Sequence, residues 1–121
     1  MKLGRPLAVG AVALAVASPV GSAARAPARV QVVEREFTLT LSRLSVASGP
    51  ALVNVVNLGQ DSHDLVVVRR ARGSTSGGTK VVAPHGTAEV ALNLRPGRYD
   101  LYCSLPGHRK LGMHAVLAVR R

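Results

Sequence analysis

The stretch Phe37-Thr38-Leu39-Thr40-Leu41-Ser42 alternates apolar and polar residues with a period of two, as expected of a strand with one buried face. The same period holds outward from it, from Val30 onward. Leu52, Val53, Val55 and Val56 lie in a β-branched run that ends at Asn57-Leu58-Gly59. Leu65 to Val68 is another run, Val81-Val82 a short one, and Ala88 to Leu94 alternates again. Tyr99, Leu101 and Cys103 share one face of a further strand, and His114 to Val119 forms the last. Turn-forming residues separate these runs at Ser48-Gly49-Pro50, Gly59-Gln60-Asp61, Pro84-His85-Gly86 and Arg95-Pro96-Gly97. The Gly/Ser/Thr stretch from Gly73 to Thr79 reads as an exposed flexible loop, and no segment sustains a helical period. The pattern predicts an all-β domain, an antiparallel Greek-key β-sandwich of seven to eight strands.

The N-terminal fifth of the 121 residues has a different character. Lys2 and Arg5 form a basic head, Leu7 to Val20 is an almost unbroken run of Ala, Val and Leu, and the small residues Gly21-Ser22-Ala23-Ala24 follow. That order predicts a secretory signal peptide over residues 1–24, cleaved near Ala24. The apolar run is 14 residues long, against the roughly 18 to 20 that span a bilayer, so an uncleaved anchor is the weaker alternative. No Cys lies near the cleavage region, which argues against a lipoprotein anchor. Residues 25–29 (Arg-Ala-Pro-Ala-Arg) read as a disordered lead-in, and residues 30–121 as one domain. The expected destination is the periplasm, the cell envelope or the extracellular space.

Without residues 1–24 the chain keeps 14 basic and 6 acidic residues, a net charge of +8. Phe37, Tyr99 and Tyr102 are its only aromatics, and it carries no nucleic-acid-binding motif, so nucleic acid is a poor partner. An acidic partner protein or an anionic envelope surface suits the charge better. Cys103 is the only cysteine, so an internal disulfide is excluded; the thiol is reactive, paired between chains, or a metal ligand.

Its neighbours favour the last. In Cys103-Ser-Leu-Pro-Gly-His108-Arg-Lys-Leu-Gly-Met113 a thiolate, an imidazole and a thioether lie in one loop, with four residues between each pair. Pro106, Gly107 and Gly112 let such a loop bend over an ion. His63 comes earlier, just after a strand-terminal turn, and in a sandwich that turn and this loop can meet at one pole. Two imidazoles and a thiolate with a weak axial thioether select copper, whereas zinc seldom recruits Met.

At these residues the chain resembles the cupredoxins, the blue copper proteins of the plastocyanin, azurin and rusticyanin type. The resemblance rests on Asn57-x-Gly59-x-x-x-His63-Asp64 and on Tyr102-Cys103-Ser104 through Met113, and extends loosely over residues 30–121; the loop spacing looks most like rusticyanin. It implies one type 1 copper held by His63, Cys103, His108 and Met113, and electron exchange through the exposed edge of His108. The family often has Asn where this chain has Asp64, and that side chain ties the two ligand segments together; Asp64 is expected to accept from the Ser104 amide. An ionised Asp64 would favour Cu(II) and lower the potential.

The remaining candidates weigh less. His114 is expected at the surface or packed behind the ligands, His85 in a surface turn, and Tyr102 as sheet packing, although it resembles a plastocyanin residue used for remote electron exit. Arg69, Arg70 and Arg72 form a basic cluster suited to steering an acidic redox partner. The leading function is single-electron shuttling by a monomeric carrier, not catalysis. Copper delivery or buffering in the cell envelope is the alternative, against which stands the scarcity of Met, limited to Met1 and Met113. A multicopper enzyme would need more than the four histidines present.

Overall fold

Nine strands and a single helical turn make up the regular structure of the computed structural model, which describes residues 1–18 and 25–121. The predicted cleavage site after Ala24 and its small-residue neighbours lie outside the described residues. Among the described residues no helix is long and apolar enough to cross a membrane.

The strands are β1 (Ala28–Arg35), β2 (Thr38–Leu41), β3 (Ser45–Ala47), β4 (Gly49–Asn57), β5 (Val66–Arg69), β6 (Ser74–Gly78), β7 (Thr87–Leu94), β8 (Gly97–Tyr102) and β9 (His114–Arg120), with α1 (His108–Leu111) between the last two. They form a four-stranded sheet in the order β2-β1-β4-β7 and a five-stranded sheet in the order β3-β9-β8-β5-β6. The alternating residues of the sequence face inward from both: Val30 and Val32 of β1, Leu39 and Leu41 of β2, Val53 and Val55 of β4, Leu92 and Leu94 of β7, Tyr99 and Leu101 of β8, and Leu117 and Val119 of β9 are buried. Each buried aliphatic side chain contributes roughly 1.5–3 kcal/mol of hydrophobic stabilisation, so this two-layer core holds the sheets together. At one end of it the Tyr99 hydroxyl donates to the Arg95 carbonyl at 3.0 Å and accepts the Arg95 amide at 2.9 Å, closing the β7–β8 turn.

The sandwich is all-β as expected, with three differences of detail. First, the sheets are mixed: β1 pairs with β4, and β3 with β9, in parallel. The chain steps from one sheet to the other across Ser48, so β3 and β4 do not become hairpin partners. Period-two patterning identifies strands but not their direction. Second, the stretch expected as a flexible loop, Gly73 to Thr79, contains β6, paired antiparallel with β5. β6 is an edge strand held by backbone hydrogen bonds and mostly exposed, so it needs no apolar alternation and shows none. Third, β1 takes up Ala28 and Arg29, the last two residues of the expected lead-in, while Val81-Val82 makes only one bridge, between Val82 and His63.

Candidate metal centre

Two irregular segments meet at one pole of the sandwich. The first runs from the end of β4 to the start of β5 and is organised by Asn57, which is fully buried. Its side-chain amide donates to the carbonyls of Asp61 at 2.8 Å and Val82 at 2.9 Å, and its Oδ1 accepts the Gly59 amide at 2.9 Å. The backbone of Asn57 adds bonds to Gly86 and His85. A side chain with every polar position used fixes a turn that has no ladder of its own. His63 follows, fully buried, its amide and carbonyl both paired with Val82.

The second segment leaves β8 at Cys103 and returns at β9. Cys103 donates its amide to the Met113 carbonyl, and the Met113 amide donates to the His108 carbonyl, both at 3.1 Å. These two bonds fold the 103–113 stretch back on itself, with α1 as its only helical turn. Gly112 closes that turn at φ 129°, and a Cβ there would press into the Phe37 carbonyl; only glycine fits both demands. Cys103 and Met113 are fully buried and His108 is half-buried, its ring edge-to-face with Phe37 at 5.2 Å.

The donors converge. His63 Nδ1 lies 3.1 Å from His108 Nδ1, Cys103 Sγ lies 3.6 Å from His108 Nδ1, and it lies 4.0 Å from His63 Nδ1. A point equidistant from all three sits about 2.1 Å from each, the length of a metal–imidazole bond and close to a metal–thiolate bond. The residues therefore fit a metal ion in size and in donor chemistry: a set of two imidazoles and one thiolate, buried except at His108, suits copper. Burial holds the Cys103 thiol above its ordinary range, with the amides of Asp64 and Leu105 acting in the opposite sense. A cation at the centre of the triangle would favour the thiolate and reverse that balance.

The two segments are joined as expected at Asp64. Its Oδ1 accepts the Ser104 amide at 2.6 Å, its Oδ2 accepts the Ser104 hydroxyl, and its own amide donates to Cys103 Sγ at 3.5 Å.

Two carboxylates near the pole have no forerunner in the sequence reading. Glu36, in the bend between β1 and β2, places Oε1 2.8 Å from His63 Nε2 and accepts the amides of Gln60 at 3.0 Å and Asp61 at 2.7 Å. The amides of Gln60 and Asp61, with a smaller share from His63, hold its carboxyl at about 2. Glu34, two residues earlier, points into the sandwich in phase with Val30 and Val32. It is fully buried, and neither carboxylate oxygen has a hydrogen-bond partner among the described residues. Burial first, and the Asp64 charge second, push it up to about 8. A sequence signal for Glu34 existed, a carboxylate in the core-facing phase of a strand; for Glu36 there was none.

Among the other candidates, His85 is exposed with φ 63° and donates its amide to the Asn57 carbonyl. His114 is exposed opposite Tyr102. Tyr102 is half-buried under the Arg109 guanidinium, 4.0 Å from the ring centre. The Arg69–Arg72 cluster is less free than its charge suggests: Arg70 pairs with Asp100 at 2.7 Å and Arg69 donates to the Pro96 carbonyl at 2.7 Å. A cleft of about 890 Å³ opens beside Cys103, with Arg109, Lys110 and His114 along its wall.

A mixed two-sheet sandwich with a His–Cys–His triangle at one pole is the architecture of the small copper proteins. The chain matches the Cupredoxin-like domain over residues 6–119, and it belongs to that family. The same fold is seen in dithionite-reduced auracyanin from Roseiflexus castenholzii, which is 19% identical with a TM-score of 0.66 over 80% of this chain and 100% of that one. Auracyanin A, a blue copper protein from Chloroflexus aurantiacus, is 14% identical with a TM-score of 0.64 over 78% and 100%. A reduced Cu(I) form of an amicyanin variant is 18% identical with a TM-score of 0.57 over 79% and 86%. No curated protein matches the chain. The family and the cluster of His63, Cys103 and His108 are together consistent with one type 1 copper site.

Proposed function

We propose that the protein is an exported single-electron carrier in which His63, Cys103, His108 and Met113 hold one copper ion. The observation that carries this reading is the donor triangle, already closed to bonding distance and fixed from both sides by hydrogen bonds. Copper, when bound there, supplies a one-electron couple between Cu(I) and Cu(II).

The residues perform the rest. Asn57 and the Val82 bridge hold His63, the Met113 and Asp64 backbone contacts hold Cys103, and Asp64 with Ser104 locks one segment to the other. A cage fixed in this way resists rearrangement when the charge of its occupant changes, which is what fast electron exchange requires. Met113, fully buried and tied through its backbone to Cys103 and His108, would offer its thioether as a weak further donor to the ion. His108 is half-exposed, with Pro106 and Leu111 at the surface near it, and so offers the shortest way out for an electron.

Arg109, Lys110 and His114, on the wall of the cleft beside Cys103, suit a redox partner with an acidic docking face. The same positive charge suits an anionic membrane surface, and the carrier works as a monomer. The basic head, the 14-residue apolar run and the small residues after it support export, which fits a copper thiolate site outside the cytoplasm.

Reversible voltammetry of the copper-loaded protein, followed by a Cu(I)-chelator challenge, tests this reading against copper delivery. A carrier gives a one-electron wave and keeps its copper after reduction. Release of Cu(I) to the chelator as fast as reduction occurs would favour delivery instead.

A further inference from the structure

The imidazole of His63 has two nitrogens, and the structure gives each a different neighbour. Nδ1 faces the Cys103 thiol and His108, whereas Nε2 faces the Glu36 carboxylate at 2.8 Å. Glu36 is not a loose surface acid. Its two oxygens also accept the amides of Gln60 and Asp61, so three donors from one loop fix its position. Gly59 leaves room for it: a Cβ at that position would collide with the carboxylate. The carboxylate reaches His63 from the β1–β2 bend, 27 residues away in sequence.

Two consequences follow from elementary chemistry. An ionised carboxylate only accepts, so the hydrogen shared with Nε2 belongs to the ring. Nε2 then carries the proton and Nδ1 presents its lone pair to the centre of the donor triangle, the tautomer that ligation needs. The carboxylate also places a negative charge one ring-width behind the metal position. A negative charge there stabilises the higher oxidation state more than the lower.

We propose that Glu36 is a positioning residue for the copper site, which fixes His63 in its Nε2-protonated tautomer and biases the couple toward Cu(II). The second half of this assignment rests on the copper reading; the first half does not. Asp64 is a separate carboxylate, which follows His63 in the chain and accepts from Ser104 rather than from the His63 ring.

The test uses the full chain and the variants Glu36→Gln and Glu36→Ala. In the metal-free protein, ¹⁵N NMR of the His63 ring reports the tautomer directly. The wild type is expected to be protonated at Nε2; Glu36→Gln keeps that tautomer because its amide oxygen still accepts, and Glu36→Ala loses the preference. In the copper-loaded protein, Glu36→Gln is expected to shift the Cu(I)/Cu(II) equilibrium about tenfold toward Cu(I), a rise in potential of about 59 mV, with the thiolate-to-copper band unchanged. A clamp with a purely structural role would leave the Glu36→Gln potential where it was. A wild-type His63 protonated at Nδ1, or a Glu36→Gln potential unchanged in a protein that keeps its band, overturns the assignment. If the wild type gives no such band, the copper reading falls, and the tautomer measurement still decides whether Glu36 positions His63.

Discussion

The two segments that build the metal centre are held by different means. The 57–64 segment is fixed by side chains: Asn57 uses its whole amide, Glu36 reaches in from the β1–β2 bend, and Asp64 reaches out to Ser104. The 103–113 segment is fixed mainly by backbone bonds between Cys103, His108 and Met113, and its non-ligand side chains Arg109, Lys110 and Leu111 are exposed. The first is a rigid wall that depends on particular polar residues. The second is a short closed loop whose ligands are set by spacing, with outward positions free to vary.

The largest break in this contrast is expected at Glu34, whose carbonyl accepts the Leu58 amide at the base of the first segment. Its carboxyl is raised from an ordinary 4.5 to about 8, so the folded chain keeps a proton there that the unfolded chain releases. The Glu34 contribution to the stability of the metal-free protein should be full below pH 4.5 and fall as the pH rises to about 8, by roughly 5 kcal/mol in all. Glu34→Gln should abolish that slope in denaturant melts taken between pH 5 and 8; a variant that kept the slope would place its origin elsewhere. A smaller effect sharpens the contrast between the segments. Asn57→Ala strands buried carbonyls and should cost about 2 kcal/mol, whereas Lys110→Ala in the loop should stay within about 0.5 kcal/mol. Equal costs in chemical denaturation would remove the distinction between wall and loop.

The same difference explains what could be read from sequence. Cys103, His108 and Met113 lie within one loop, so their chemistry is visible as spacing. His63 needed the Asn57 and Gly59 context and the family resemblance, because its approach to the others is a long-range event. The Asp64–Ser104 link was legible through the family resemblance, which implies a side chain after the first His ligand that ties the two ligand segments together. Glu36 was not: an acid at a strand end looks like ordinary surface, and only the fold brings the β1–β2 bend against the 59–63 turn. The strands themselves were legible wherever a buried face forces alternation. β6 has no such face, and the parallel pairings of β1 with β4 and β3 with β9 leave no mark on periodicity.

Adding one equivalent of Cu(II) to the protein and recording the visible spectrum tests the central claim most directly. An intense thiolate-to-copper band that saturates at one copper per chain and disappears in Cys103→Ser is the predicted result. No such band in the wild type, or a band that survives in Cys103→Ser, would contradict a type 1 site built on the triangle of His63, Cys103 and His108.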